Sequence, residues 1–257
     1  MTIILNEAKY AANVIEKGEI GSKPAATLFL LGKYYRQKEH LGKQSTMEKL
    51  HAFMQHNGKN YNPALWEKLI EDISGKAAKY PLREIDQISI TQSELDHIAA
   101  LQNQKYQALL FTMLCYAKLY NTVSEHNNGW VNASIPELYR IAKVTVKYRN
   151  DKFLYLNELE KTGLISFSGQ NDNLNLRVNF VDMQGAAVLQ ISDFRELGYE
   201  YLKHTGSGKF IRCSRCDRLI RQTGKNTHYC AECRQKRRLE TKRTWWEQNA
   251  QHTARLF

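Results

Sequence analysis

The chain has 257 residues, 42% hydrophobic and 25% charged, with a formal net charge of +11. That mixture is an ordinary globular one, and the length allows one large domain or two to three small ones. No apolar run approaches the about 20 residues of a membrane span, and no basic n-region precedes the short apolar start, so neither a membrane partner nor a signal peptide is expected. A cytoplasmic protein with reduced thiols is the resulting expectation. The charge is uneven: residues 1–208 carry 24 Lys+Arg against 22 Asp+Glu, net +2, and residues 209–257 carry 13 against 4, net +9. A positive field confined to the C-terminal fifth points to a polyanionic partner, with a solvated tail as the plainer alternative.

Residues 1–80 read as a helical N-terminal domain. Leu5, Ala8, Ala12 and Ile15 recur at helical spacing before Gly18 and Gly21. Ser22 reads as a helix cap ahead of Pro24, opening a helix through Leu28, Leu31 and Tyr35. Met47, Leu50, Phe53 and Met54 mark a third helix. Asn62-Pro63 starts a fourth, with Trp66, Leu69, Ile70 and Ile73 inside. Residues 76–81 lead out, and Ile85, Ile88 and Ile90 follow in an extended connector.

Residues 91–204 read as a second domain. Thr91 and Glu94 form a capping box. Leu109, Leu110, Met113, Leu114, Ala117 and Tyr120 then line one helix face, with Cys115 among them as a small packing residue. Asn127-Asn128-Gly129 is a turn, and 130–133 is a short strand. Ser134 and Glu137 make a second capping box for a helix holding Leu138, Ile141 and Ala142. After a break near Val144 comes a helix starting around Thr145, with Phe153, Leu156 and Leu159 buried and Gly163 as its left-handed end. A strand over 165–168, a loop over 169–173 and an alternating strand from Leu174 to Phe180 complete the pattern. Residues 184–204 read as mixed and mostly helical around Phe194, Leu197, Tyr201 and Leu202.

The order helix, strand, helix, turn, helix, strand, loop, strand over residues 104–181 resembles a winged helix-turn-helix. The resemblance implies that the helix from about Thr145 enters a major groove with the wing beside the backbone. Lys147, Arg149, Asn150 and Lys152 are its candidate nucleic-acid contacts, since Lys and Arg suit phosphate or guanine and Asn suits adenine. Docking to a protein is the alternative use of the same surface.

Thr205-Gly-Ser-Gly208 is a hinge. Lys209 does not belong to a phosphate loop, because Lys203 stands where the first glycine should be and Phe210 where a Ser or Thr should be. The third domain, 209–257, contains Cys213, Cys216, Cys230 and Cys233 in two Cys-x-x-Cys pairs. Each pair brings two thiolates to one ion from a single tight turn, and two pairs supply the four soft ligands of a structural Zn²⁺ site. A redox pair needs only one such turn, and disulfides would need an oxidising compartment. His228 is a weaker alternative ligand.

The layout, with strands around 210–213 and 219–220 and a returning His228-Tyr229-Cys230, closely resembles a zinc ribbon. The particular pattern, with a basic helix behind it, resembles proteins of bacteriophages and integrative elements of Gram-positive bacteria. Asp217 and Arg234 stand where many ribbons have glycine. Asp217 tolerates left-handed geometry, and Arg234 is expected to enter a helix directly. Arg234, Lys236, Arg237, Arg238, Lys242 and Arg243 then form a basic helix. On it Leu239, Arg243 and Trp246 share a side, and Trp245 and Trp246 either dock the helix onto the body or stack on a base.

The expected architecture is thus mainly α (α+β): a helical N-terminal domain, a winged helix-turn-helix and a C-terminal zinc ribbon with a basic helix. The expected function is non-enzymatic nucleic-acid binding, DNA ahead of RNA, in replication or transcription control of a phage or mobile element. No nucleophile–base pair or open metal position is recognisable, and no catalytic residue is assigned. The alternative is a protein-interaction factor that modulates host RNA polymerase, replication or defence machinery.

Overall fold

The computed structural model describes residues 3–148, 150–168 and 175–253. They divide into two compact units, Ile3–Gln87 and the chain from Ile88 onward. Ten α-helices and seven short strands are present among the described residues, so the chain is mainly helical with small sheets.

The N-terminal unit is built from four helices. In α1 (Glu7–Lys17) the Asn6 side chain accepts from the Lys9 amide, and Gly18 ends the helix at φ 63°, a left-handed turn that suits glycine. The buried stripe is Ala8, Ala11 and Val14. Ala12 faces solvent, because Leu5 precedes the helix and the spacing runs from Ala8. At α2 (Pro24–Gln37) the cap position is Lys23 rather than Ser22, and no side chain caps it. α3 (Lys43–Asn57) and α4 (Pro63–Ala77) follow, the latter capped by Asn62 onto the Ala64 amide. Leu28, Leu31, Leu50 and Ile70 are wholly buried at the centre. Gly32 permits the close approach of α2 to α4, since a Cβ there would lie 3.1 Å from Ile73. Leu69, expected inside, is exposed along with Leu65. Glu7 ties the exit segment back: its carboxylate accepts from Lys33 and from the Arg83 amide and guanidinium.

The second unit begins with β1 (Ile88–Thr91), which pairs antiparallel with residues Ala187–Ile191 instead of running free as a connector. The capping box of α5 (Gln92–Ala99) is complete: Thr91 Oγ1 accepts from the Glu94 amide at 3.3 Å, and the Glu94 carboxylate from the Thr91 amide at 2.8 Å. α6 (Gln104–Val123) is buried without interruption from Ala108 to Leu119, including Cys115. A helix apolar all round occupies the middle of a core, and the other elements pack about it. Its Lys118 ammonium donates to both Glu94 carboxylate oxygens at 2.8 Å, with neither side chain accessible to water.

β2 (Trp130–Val131) and α7 (Ile135–Ile141) come next. The second capping box is not formed: the Ser134 side chain makes no cap bond, and Glu137 accepts from the Tyr116 hydroxyl instead. α8 is Asp151–Lys161, so its first turn lies six residues beyond the expected start. β3 (Ile165–Phe167) and β4 (Leu176–Val178) make an antiparallel sheet in the order β2-β4-β3. The expected loop 169–173 and Leu174 lie outside the described residues. Residues 184–204 open as β5 (Ala187–Ile191), the partner that β1 requires, before α9 (Leu197–His204). At Gly198 a Cβ would fall 2.0 Å from the Ala142 carbonyl oxygen, so only glycine allows α9 to lie on the end of α7. β6 (Phe210–Arg212), β7 (Leu219–Arg221) and α10 (Ala231–Thr253) finish the chain, and contacts group them with the second unit. No helix among the described residues is long and apolar enough to cross a membrane.

Candidate metal centre and basic helix

β6 and β7 form a hairpin with Ile211 opposite Ile220 and Arg212 opposite Leu219. The connection between them is the first Cys-x-x-Cys. The Asp217 amide donates to the Cys213 carbonyl at 2.9 Å, closing a tight turn, and Asp217 itself takes φ 57°, the expected left-handed geometry. The second pair straddles the start of α10: Cys230 precedes it, Cys233 lies in its first turn, and the Arg234 amide donates to the Cys230 carbonyl. Arg234 therefore continues into a helix, as expected.

All four sulfurs lie within 4.8 Å of one another, close enough to hold a metal ion. Cys216 Sγ and Cys230 Sγ are 3.8 Å apart, the edge length of a tetrahedron whose metal–sulfur bonds are about 2.3 Å. A disulfide would need about 2.05 Å, and all five cysteines are free thiols. Cys213, Cys230 and Cys233 are buried, with Ile211, Ile220 and Tyr229 packed against them. His228 is not among the clustered donors; its carbonyl accepts from the Ser214 amide. Burial raises the Cys213 thiol, but amides of Cys230, Arg215 and Cys216 directed at its sulfur outweigh this and hold it at about 6. Burial pushes Cys216 and Cys233 up, and at Cys233 the neighbouring sulfurs add to the rise. Four sulfurs this close can hold a cation, and binding one would release the protons that the thiols still carry.

An ionic lattice surrounds the cluster. Arg195 grips the Asp193 carboxylate with two nitrogens at 2.8–2.9 Å and donates to the Cys216 carbonyl at 2.9 Å. Arg212 reaches Glu200 and the Asp217 carbonyl. Arg218 holds Glu232 through two nitrogens, and Arg215 holds Glu240 in the same way at 2.7 and 2.8 Å. Glu196, at the head of α9, lies between Arg218 and Lys143 in the α7–α8 turn. Sequence reasoning missed these struts. Their one linear signal is the spacing of Glu232, Glu240 and Glu247, which repeats every two turns.

From Arg234 to Asn249 every residue of α10 is exposed. Trp245 and Trp246 are 54% and 58% exposed, so they do not dock the helix onto the body, and Leu239 and Arg243 stay in water beside them. At about 100° per residue, Arg234, Arg238, Thr241 and Trp245 share one side, and Glu232, Glu240 and Glu247 take the other. Arg234, Arg237, Arg238, Thr241, Lys242, Trp245 and Trp246 line one open groove of about 620 Å³. Arg237 also lies 5.0 Å over the Tyr229 ring. Of the expected contact residues, Lys236 and Arg243 are outside the groove, and Arg243 pairs with Glu247 at 2.7 Å.

The second candidate surface is less regular. Lys147 lies before α8 with its ammonium 5.0 Å over the Tyr148 ring, and Asn150 occupies the cap position without a side-chain bond. Arg149 lies outside the described residues. Lys152 sits over Tyr139, whose hydroxyl donates to the Lys152 carbonyl at 2.7 Å. Asp151 accepts from the Tyr148 amide and so turns to its own backbone. Phe153, expected in the core, is 39% exposed, with Tyr148 at 61% and Leu154 at 60% beside it. Leu156 and Leu159 are the buried side of α8.

No protein-family model matches this chain, and neither a curated protein nor a solved structure matches it.

Proposed function

We propose that the protein is a nucleic-acid-binding protein without enzymatic activity, in which a structural Zn²⁺ held by Cys213, Cys216, Cys230 and Cys233 fixes the start of a basic helix. The observation that carries this reading is the groove along α10, where four cations gather on one exposed side while the carboxylates turn to the other. A helix segregated in this way offers a line of positive charge to a polyanion and leaves its acidic side as the anchored one. The four sulfur donors favour zinc, fill its tetrahedral shell and leave no open coordination position for hydrolysis.

The order of α6, β2, α7, α8, β3 and β4 supports reading this region as a winged helix. In this reading α10 supplies sequence-independent affinity, and Lys147, Arg149, Asn150 and Lys152 bear any preference for sequence. The cysteine pattern resembles bacteriophage and mobile-element ribbons, so replication or transcription control of such an element, in the cytoplasm and on DNA, is the setting we assign. Gel shifts of the zinc-loaded protein on duplex and single-stranded DNA across a salt series test the reading. Affinity is expected to fall steeply with salt, and no binding at low salt would sink it.

One observation favours a second reading. Tyr148, Phe153 and Leu154 form an apolar exposed group at the head of α8, a composition better suited to a protein partner than to phosphate. The partner would be a host polymerase, replication or defence protein. Capture of a stoichiometric partner after nuclease treatment, lost in Leu154→Asp, would favour it.

A further inference from the structure

From the tryptophans of α10 we infer that the groove selects single-stranded over double-stranded nucleic acid. The inference rests on the reading of that groove as a nucleic-acid site, and it deepens that reading by naming the form of the ligand.

Three features of the groove point the same way. The cations come first: Arg234, Arg237 and Arg238, and Lys242 occupy successive turns, spanning about 12 Å of helix at 1.5 Å per residue. That length matches two to three nucleotides of an extended strand, which is a short contact for a duplex-binding helix. Next, Trp245 and Trp246 close the C-terminal end of the same groove. Their rings are 5.0 Å apart and inclined at 81°, an edge-to-face pair that presents two indole surfaces meeting at a corner. Both rings are more than half exposed, and neither is covered by the body of the protein.

A duplex cannot satisfy this end of the groove. Its bases are paired and stacked, so the phosphates could meet the arginines while the indoles stayed wet. An unpaired base brings a free π-face to an indole at the moment its flanking phosphates meet the cations. The charge fits too: a basic groove beside the Trp corner attracts an anionic occupant and disfavours a cationic or purely apolar one.

The arrangement sets a direction for the contact. The strand lies along α10 with its phosphates on Arg234, Arg238 and Lys242 and one base against Trp245 or Trp246. Bidentate pairing of Glu240 with Arg215 on the opposite side holds the groove outward.

The test uses the full-length, zinc-loaded protein with a short oligothymidylate, the corresponding dT·dA duplex, and tryptophan emission. The single strand is expected to bind more tightly and quench emission, with a log K against log salt slope of about −2.1 for three contacts, against about −2.7 if a duplex were bound the same way. Replacing both indoles (W245A/W246A) is expected to abolish the quench and weaken single-strand binding by between about fivefold and a hundredfold, with duplex binding unchanged. The substitutions are on an exposed helix, and circular dichroism checks that it persists. Equal or tighter duplex binding, or single-strand affinity indifferent to both tryptophans, would overturn the inference and leave the proposed function standing. If neither nucleic acid binds at low salt, the proposed function falls and the inference with it.

Discussion

The N-terminal unit and α10 are both helical, yet they are held by opposite means. In the first, Leu28, Leu31, Leu50 and Ile70 reach zero exposure and the four helices fix one another through apolar packing. In the second, a helix of 23 residues has no buried side chain beyond Cys233 until its described side chains end at Asn249. Its direction comes from four sulfurs at one end and from Arg218–Glu232 and Arg215–Glu240 along the first turns. An isolated helix of polar residues is marginal in water. The contrast is one of surface: a packed helix surrenders its surface to a core, whereas a helix tethered at one end leaves most of its surface in water.

The largest effect expected is on the tethered side. Removing the metal with a chelator, or substituting Cys213→Ser, should unfold the β6–β7 hairpin and the start of α10 together. Structural zinc supplies about 10–16 kcal/mol in comparable small sites. Proteolysis should then cut beyond Gly208 while residues 3–87 remain resistant. A tail that stays protected after metal loss would erase the distinction between the two regions.

The core of the second unit gives the next effect. Lys118→Met leaves Glu94 charged and buried, and loss of one partner of such a pair costs about 3–5 kcal/mol. Mutating Glu94 as well should not restore stability, because its carboxylate also accepts from the Thr91 and Asp182 amides. Chemical denaturation of the single and double variants measures this. In the N-terminal unit, Leu50→Ala should cost about 2–5 kcal/mol without altering zinc content or the groove. Loss of zinc in that variant would mean that the two regions are not independent.

Alkali should sharpen the comparison more gently. Burial, helped by Glu39 and Tyr34, pushes the Tyr35 hydroxyl up to about 12. Burial raises Tyr116, Tyr139 and Tyr201 as well. A folded-state pKa above the unfolded one means that the native state holds its proton longer. The stabilisation is complete below the ordinary tyrosine range and is lost as pH rises through about 12. Melting temperatures of both cores should therefore drop between about pH 10 and 12, whereas α10, which contains no tyrosine, has no such term. The smallest effect is reserved for Glu240→Ala. It breaks one exposed strut and should leave the melting temperature unchanged while lowering affinity for a polyanion, since Arg215 no longer holds the helix in place.

Much of this molecule was legible in the linear sequence where the signal is local. Cys213 to Cys233 announced a cluster of four thiols able to hold a metal ion, because two turns with fixed spacing bring thiols together whatever surrounds them. The helices of residues 3–87 followed from apolar spacing and from stops such as Gly18, and the Thr91–Glu94 box from two residues of one turn. Tertiary structure decided what local chemistry leaves open. Ser134 and Glu137 carry the same box letters as Thr91 and Glu94, but the Ser134 side chain makes no cap bond, and the Glu137 carboxylate accepts from the Tyr116 hydroxyl of another helix. Residues 187–191 became a strand because Ile88–Thr91 needed a partner about a hundred positions away. Phe153 lies off the buried side of α8, which is Leu156 and Leu159, so its apolar character did not bury it fully. The tryptophans of α10 are the sharpest instance. Whether an indole docks or waits for a ligand depends on what stands opposite it, and nothing in residues 231–253 encodes what lies across the solvent.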